Sequence, residues 1–249
     1  MCMKICGFFS KKEKKEKVFR NVFANLIIGV VLIGLFVITY TGGTLNAFNS
    51  SEVEAVYHGN TSSKNICLMI NVYWGNDYIE PMLKTLKENN IKTTFFIGGT
   101  WAKQYPELLK MIYNDGHEIA NHGFYHKDHK KISYEQNKNE ILNTHNLVKE
   151  ILGIEMNLFA PPSGSYSKTT IETAKELGYT SIMWSRDTID WRDQDENLIY
   201  SRAVKNASGG DLVLMHPTEK TAAALPKIVE TLLGNGFNLT TVSECLKTE

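Results

Sequence analysis

From Ile66 to Val242 short apolar runs alternate with segments of helical period, and this alternation restricts the chain more than any other feature. ICLMINV at Ile66–Val72, TTFFI at Thr93–Ile97 and LVLM at Leu212–Met215 are short continuous apolar runs, the pattern of buried strands. Between them, Tyr78–Asn89 spaces Ile79, Met82, Leu83 and Leu86 at helical period, and Pro106–Asn114 opens on proline with Leu108, Leu109 and Ile112 facing inward. Ser133–Leu152 starts as a capping box, Ser133 with Gln136 three residues on, and stops at Gly153. Further strands are expected at Glu118–Ala120, Ser181–Trp184 and Phe237–Val242, and helices at Ser167–Leu177, Glu196–Ala207 and Ala222–Leu233. Strands that alternate with helices in this order imply an α/β domain with a mainly parallel sheet or barrel.

The N-terminal part obeys a different rule. VFANLIIGVVLIGLFVITY, residues 22–40, is long enough to span a bilayer as a helix. The first 20 residues hold seven basic and two acidic side chains, which keeps that side cytoplasmic. The expected organisation is a basic cytoplasmic segment at 1–21, a transmembrane anchor at 22–40, a Ser/Asn/Thr/Gly-rich linker at 41–63 and an exported domain at 64–249. A cleaved signal peptide is the alternative, with cleavage near Gly43 or Ala47; its apolar core is usually shorter, and no A-x-A site follows cleanly. Total charge is balanced at 27 basic and 27 acidic residues, so the chain beyond residue 20 is slightly acidic, and no basic stripe points to nucleic acid. Cys2 and Cys6 precede the anchor; Cys67 and Cys245, at opposite ends of the domain, form either one disulfide or two separate buried thiols. The absence of a CxxC pair speaks against a cysteine zinc site.

Three clusters stand at strand ends, where such folds place reactive groups. NHGFYH carries His122 and His126, four apart, a spacing that reaches one divalent ion or makes two hydrogen-bonded loop residues. Asp187 and Asp190 flank Thr188-Ile189 before Trp191, placed to orient a histidine or bind a hydroxyl, or else to cap a helix or sit in a surface turn. His216 ends the apolar run LVLM, as a general acid or as a core histidine satisfied by a carbonyl.

Together with IKTTFFIGG, NDGHEIANHGFYH, FAPPSGSYS, SRDTIDW and LVLMHPTE, these clusters resemble in order and spacing the polysaccharide deacetylase family, the NodB-homology domain of carbohydrate esterase family 4. The resemblance covers roughly residues 64–246 and is similar to a sporulation-associated branch of that family. It implies an irregular (β/α) barrel of seven strands, preceded here by one transmembrane helix, and hydrolysis of acetyl groups on chitooligosaccharides, peptidoglycan or xylan with an ion, usually zinc, held by one aspartate and two histidines. Carried over, His122 and His126 match the metal histidines, His216 the general acid, Asp187 and Asp190 the acidic motif, and Trp191, Pro161, Pro162 and Tyr166 the sugar groove.

The family's first strand ends in TFDDG, base then metal aspartate; here Asn71 and Val72 stand at those positions. The arginine of the RPPYG-like motif is Ala160. An amide takes no proton from water at neutral pH and valine binds no metal, while an arginine left without its carboxylate would be an unpaired charge. Asp77 and Asp128 are the candidates for a substitute ligand, each also readable as a cap or a solvated charge. The leading expectation is a membrane-tethered deacetylase-like hydrolase of carbon–nitrogen bonds in acetylated cell-wall glycan, linked to sporulation or wall metabolism. The alternatives are an inactive glycan-binding or assembly protein of the same fold and, further off, a metal-dependent hydrolase of another amide or ester.

Overall fold

The computed structural model describes residues 17–34, 36–37 and 54–247. They fall into two units. In the first, Lys17–Gly34 is one helix of 18 residues with mean hydropathy 1.6 and no buried surface, long and apolar enough to cross a membrane. Cys2 and Cys6, most of the basic segment, the end of the expected span and residues 41–53 of the expected linker lie outside the described residues.

The second unit is a parallel sheet with helices on its outer side. Its strands are β1 (Asn65–Val72), β2 (Thr94–Ile97), β3 (Glu118–Asn121), β4 (Leu158–Phe159), β5 (Thr180–Ser181), β6 (Arg186–Asp187), β7 (Leu212–Met215) and β8 (Asn238–Leu239). They run in the order β5-β4-β3-β2-β1-β7-β6, with β8 beside the start of β1, and β5 and β6 form the two ends of the path. Every pairing is parallel, so all carboxyl ends meet on one face. This is the α/β barrel-like architecture the alternation implied.

The period of two along β1 explains why it reads as unbroken apolar sequence. Ile66, Leu68, Ile70 and Val72 join one core with the helix residues Met82, Leu86, Leu225 and Ile228. Cys67 and Met69 join another, with Phe96, Ala120, Leu158, Ala160 and Leu212 on the inner side of the curled sheet. Asn71 continues the inner set by alternation, and Val72 the outer. Cys67 and Cys245 are separate, buried and free; burial pushes their thiols up to about 12 and about 11.

Several boundaries differ from the sequence reading, for local reasons. The strand expected at Ser181–Trp184 is only Thr180–Ser181, followed by an isolated bridge from Ile182 to Val56; the chain then re-enters the sheet as β6 beside β7. The strand expected at Phe237–Val242 shrinks to β8, because the Thr241 side chain accepts from Glu244 N–H and starts a short helix, Val242–Cys245. Gly98-Gly99 opens a helix, Gly99–Gln104, in place of a plain stop. A Cβ on Gly99 would lie 2.2 Å from Phe124, so glycine lets this helix approach the segment that carries His122 and His126. The Ser133–Gln136 capping box forms as expected and opens helix Tyr134–Leu152. The linker stretch meets the domain from Ala55 onward: Val56 N–H donates to Ser181 O, and Gly59 N–H to Gly210 O.

Candidate active site

The carboxyl ends of β1, β3, β6 and β7 open onto a cleft of about 530 Å³. Of the residues expected from sequence, Asn71, His122, His126, Asp187, Trp191 and His216 line it. Tyr73, Trp74, Ser163, Trp184 and Leu214 line it too and were not anticipated.

Asn71 is 3 % exposed, and its Oδ1 has no hydrogen-bond partner. Val72 is fully buried in the helix-side core and does not line the cleft. Ala160 is fully buried in the inner core, and its carbonyl accepts from His122 Nδ1 at 2.8 Å. That bond fixes the His122 tautomer with Nε2 as the free acceptor. Burial, then the neighbouring His126, pushes the His122 pKa well below its usual value; burial also pushes His126 down. Both imidazoles are neutral at neutral pH, the form that ligates metal.

The His122–His126 segment is held from behind. Glu140, buried on helix Tyr134–Leu152, accepts from Phe124 N–H at 2.9 Å and from Tyr125 N–H at 2.7 Å. The sequence carried a signal for this: Asn137, Glu140 and Thr144 are polar on the stripe that faces inward with Ile141 and Val148.

Asp190 and His216 form the best-built pair. Asp190 is fully buried; its Oδ1 takes His216 Nδ1 at 2.8 Å, and its Oδ2 takes His216 N–H at 2.7 Å and the Thr221 hydroxyl at 2.6 Å. Of the two expected carboxylates, then, Asp190 orients the histidine, while Asp187 accepts from Ile189 N–H at 2.8 Å and faces the cleft. Ile189 between them sits at φ +54°, as do His126 (+54°) and Ser163 (+55°) on the cleft wall. Left-handed backbone at non-glycine residues costs on the order of 1–3 kcal/mol each and gathers at functional sites.

The remaining expected residues lie elsewhere. Pro161 and Pro162 are buried behind the wall and bring Ser163 to it. Tyr166 bonds Tyr57 hydroxyl to hydroxyl at 2.7 Å, away from the cleft lining. Asp77 is exposed and accepts from Asn76 Nδ2, and Asp128 is taken by Ser165 and Lys131. Neither joins the histidines: among the described residues no group of three or more His, Cys, Asp or Glu side chains could hold a metal ion. Both imidazoles have the right charge for an ion and His122 the right tautomer, but the set does not fit a catalytic centre with three protein ligands.

The rings of Tyr73 and His126 stack with centroids 4.5 Å apart, and those of Trp74 and His216 at 5.7 Å. Position 73, glycine in the family motif, thus presents an aromatic ring to a histidine of the site. The sequence signal was the YWG that follows Val72.

Comparison with known proteins agrees with this architecture. The family described as Polysaccharide deacetylase matches residues 58–182. Uncharacterized protein YlxY of Bacillus subtilis is 36% identical over 197 residues, 79% of this chain and 62% of that protein. The chain thus spans less than two thirds of YlxY. The peptidoglycan-N-acetylmuramic acid deacetylase PdaA of B. subtilis is 30% identical over 200 residues, 78% of this chain and 76% of that one. Among solved structures, BA3943 of Bacillus anthracis, described as a CE4 family pseudoenzyme, superposes with TM-score 0.77 at 32% identity, covering 79% of this chain and 70% of that one. A mutant of BA3943 is described as having restored enzymatic activity. Deacetylases of this kind are generally dependent on a divalent metal. By family match, identity and fold, the chain belongs to the polysaccharide deacetylase family.

Proposed function

We propose that this chain is a membrane-tethered glycan-binding protein that keeps the deacetylase fold and cleft without the hydrolytic turnover. The observation that carries this reading is Asn71. It stands where the family has its base, buried, with an amide oxygen that no protein group satisfies. An amide cannot take the proton from an attacking water, and Val72, turned to the helix-side core, cannot supply the metal carboxylate. The description of BA3943 as a pseudoenzyme supports the same direction. The substrate class comes from the names of relatives such as PdaA: cell-wall glycan of the peptidoglycan type, with a chitooligosaccharide-type chain as the simpler equivalent. The N-terminal helix would hold the domain at the membrane, N-terminus cytoplasmic and domain outside, in keeping with its basic flank. A link to cell-wall metabolism is in keeping with the printed name of PdaA, and a link to sporulation rests on the sequence resemblance alone.

A second reading, a residual hydrolase of acetylated glycan, is favoured by the intact Asp190–His216 pair. In it His216, oriented through Nδ1, would protonate the leaving amine, and His122 and His126 would weakly hold a divalent ion, zinc foremost; no group of this chain is assigned as base. Binding and acetate release measured together on N-acetylglucosamine oligomers separate the readings. Binding without release supports the first, release abolished by His216→Ala supports the second, and neither binding nor release rejects both.

A further inference from the structure

We infer that the cleft selects a protonated amino sugar, the de-N-acetylated unit of a glycan, and that Tyr73 and Trp74 are the residues that make it do so. This rests on the glycan-binding reading and narrows its ligand. The first ground is a surplus of acceptors. On the cleft wall, His122 has committed Nδ1 to the Ala160 carbonyl and keeps Nε2 as an acceptor, and Asp187 presents a carboxylate that receives one backbone N–H. An ammonium brings three donors and a positive charge to such a site, whereas an acetamide brings one donor and a carbonyl that needs a donor in return.

The second ground is charge. Neither lysine nor arginine lines the cleft, Ala160 stands where the family has arginine, and carboxylates lie at the wall (Asp187) and directly behind His216 (Asp190). The third is aromatic surface. Trp74 and Trp191 are 42 % and 54 % exposed at the cleft, and ring faces attract cations, most strongly those of tryptophan. One face of Trp191 already takes a cation, the Arg192 guanidinium at 5.8 Å.

The rings are also fixed before any ligand arrives. A Cβ on Gly98 would lie 2.8 Å from the Tyr73 ring, so glycine there makes the room in which Tyr73 reaches His126. Gly75, at φ +80°, lets the loop after β1 lie against Pro217, whose carbonyl would be 2.0 Å from a Cβ; the same contact sets Trp74 over His216. Rings held this way lose little freedom on binding.

The test is calorimetric titration of the full chain in detergent with two probes, a β-1,4-linked glucosamine tetramer and the N-acetylglucosamine tetramer, at a pH where the free amines are protonated. The glucosamine tetramer should bind at least tenfold more tightly, and Trp74→Ala, at an exposed position that folding tolerates, should cut that preference severalfold. Tyr73→Gly, the family's residue, should do likewise, and circular dichroism of each variant confirms its fold. Equal affinity, tighter binding of the acetylated tetramer, or a preference unchanged in both variants would overturn the inference and leave the glycan-binding reading standing. Failure of both probes to bind would overturn that reading itself.

Discussion

Replacing Asn71 with valine should make the protein more stable and weaken its binding of glycan. Asn71 lies at the end of β1, 3 % exposed, with Oδ1 unpartnered, and the inner side of the sheet beside it is apolar. A buried acceptor left without a partner costs about 1–3 kcal/mol. Valine is close to asparagine in volume and suits a strand, so Asn71→Val removes the penalty without opening a cavity or overpacking. The expected gain is about 1–3 kcal/mol. In a domain of this size that is a rise in melting temperature of roughly 2–12 °C. Urea and thermal melts of the parent and the variant read the gain directly, and titration with a glycan tetramer reads the weaker binding. A destabilisation beyond about 1 kcal/mol would mean that the Asn71 amide is a bonded part of the native core, and the reading of Oδ1 as an unsatisfied acceptor would fail.

Three other outcomes follow from the same geometry. Ala160→Arg alone should destabilise the domain by roughly 3–5 kcal/mol, since it buries an unpaired guanidinium in the inner core; Asn71→Asp added to it should recover part of the loss, and strictly additive effects in denaturant melts would show that the two positions do not face each other. His117 is 4 % exposed, and burial, then the charge of Lys92, pushes its pKa down to about 4 from 6.5. Because the folded value is the lower one, its contribution is complete above pH 6.5 and is lost as pH falls from 6.5 toward 4, about 3 kcal/mol in all; His117→Asn should flatten that part of the stability profile, and an unchanged slope would reject the assignment. A tag on the C-terminus should be cleaved by protease added outside intact cells and should stay with membranes through a salt wash; a protected tag would reject an exported domain, and a shortened soluble form would point to a cleaved signal peptide.

The sequence made the sheet and the site legible to different depths. Uninterrupted apolar runs such as Ile66–Val72 announce strands covered on both faces, and the Ser133–Gln136 box marks its helix start, because both are local signals. β4, β5, β6 and β8 are two residues each, defined by pairing partners far along the chain, so local patterning overextended β5 and β8 and missed β4 and β6. Within the site, the spacing of His122 and His126 and the position of His216 after LVLM were readable. The choice of Asp190 over Asp187 was not, because it depends on how β6 and β7 align: Asp187 pairs with Leu214, and the next turn carries Asp190 under His216. The direction of Val72 followed from strand period, but its consequence, a side chain in the helix-side core and off the cleft, needed the three-dimensional sheet. Pro161, Pro162 and Tyr166 sat in a motif that shapes the wall, and motif membership alone does not say which of its residues faces the ligand.

The most direct test of the account is acetate release from N-acetylglucosamine oligomers and from peptidoglycan by the full chain, with zinc supplied and with His216→Ala as control. The account predicts glycan bound and acetate at the level of the control. Sustained release by the parent, lost in His216→Ala, would contradict it and would show that the cleft retains a base which Asn71 does not provide.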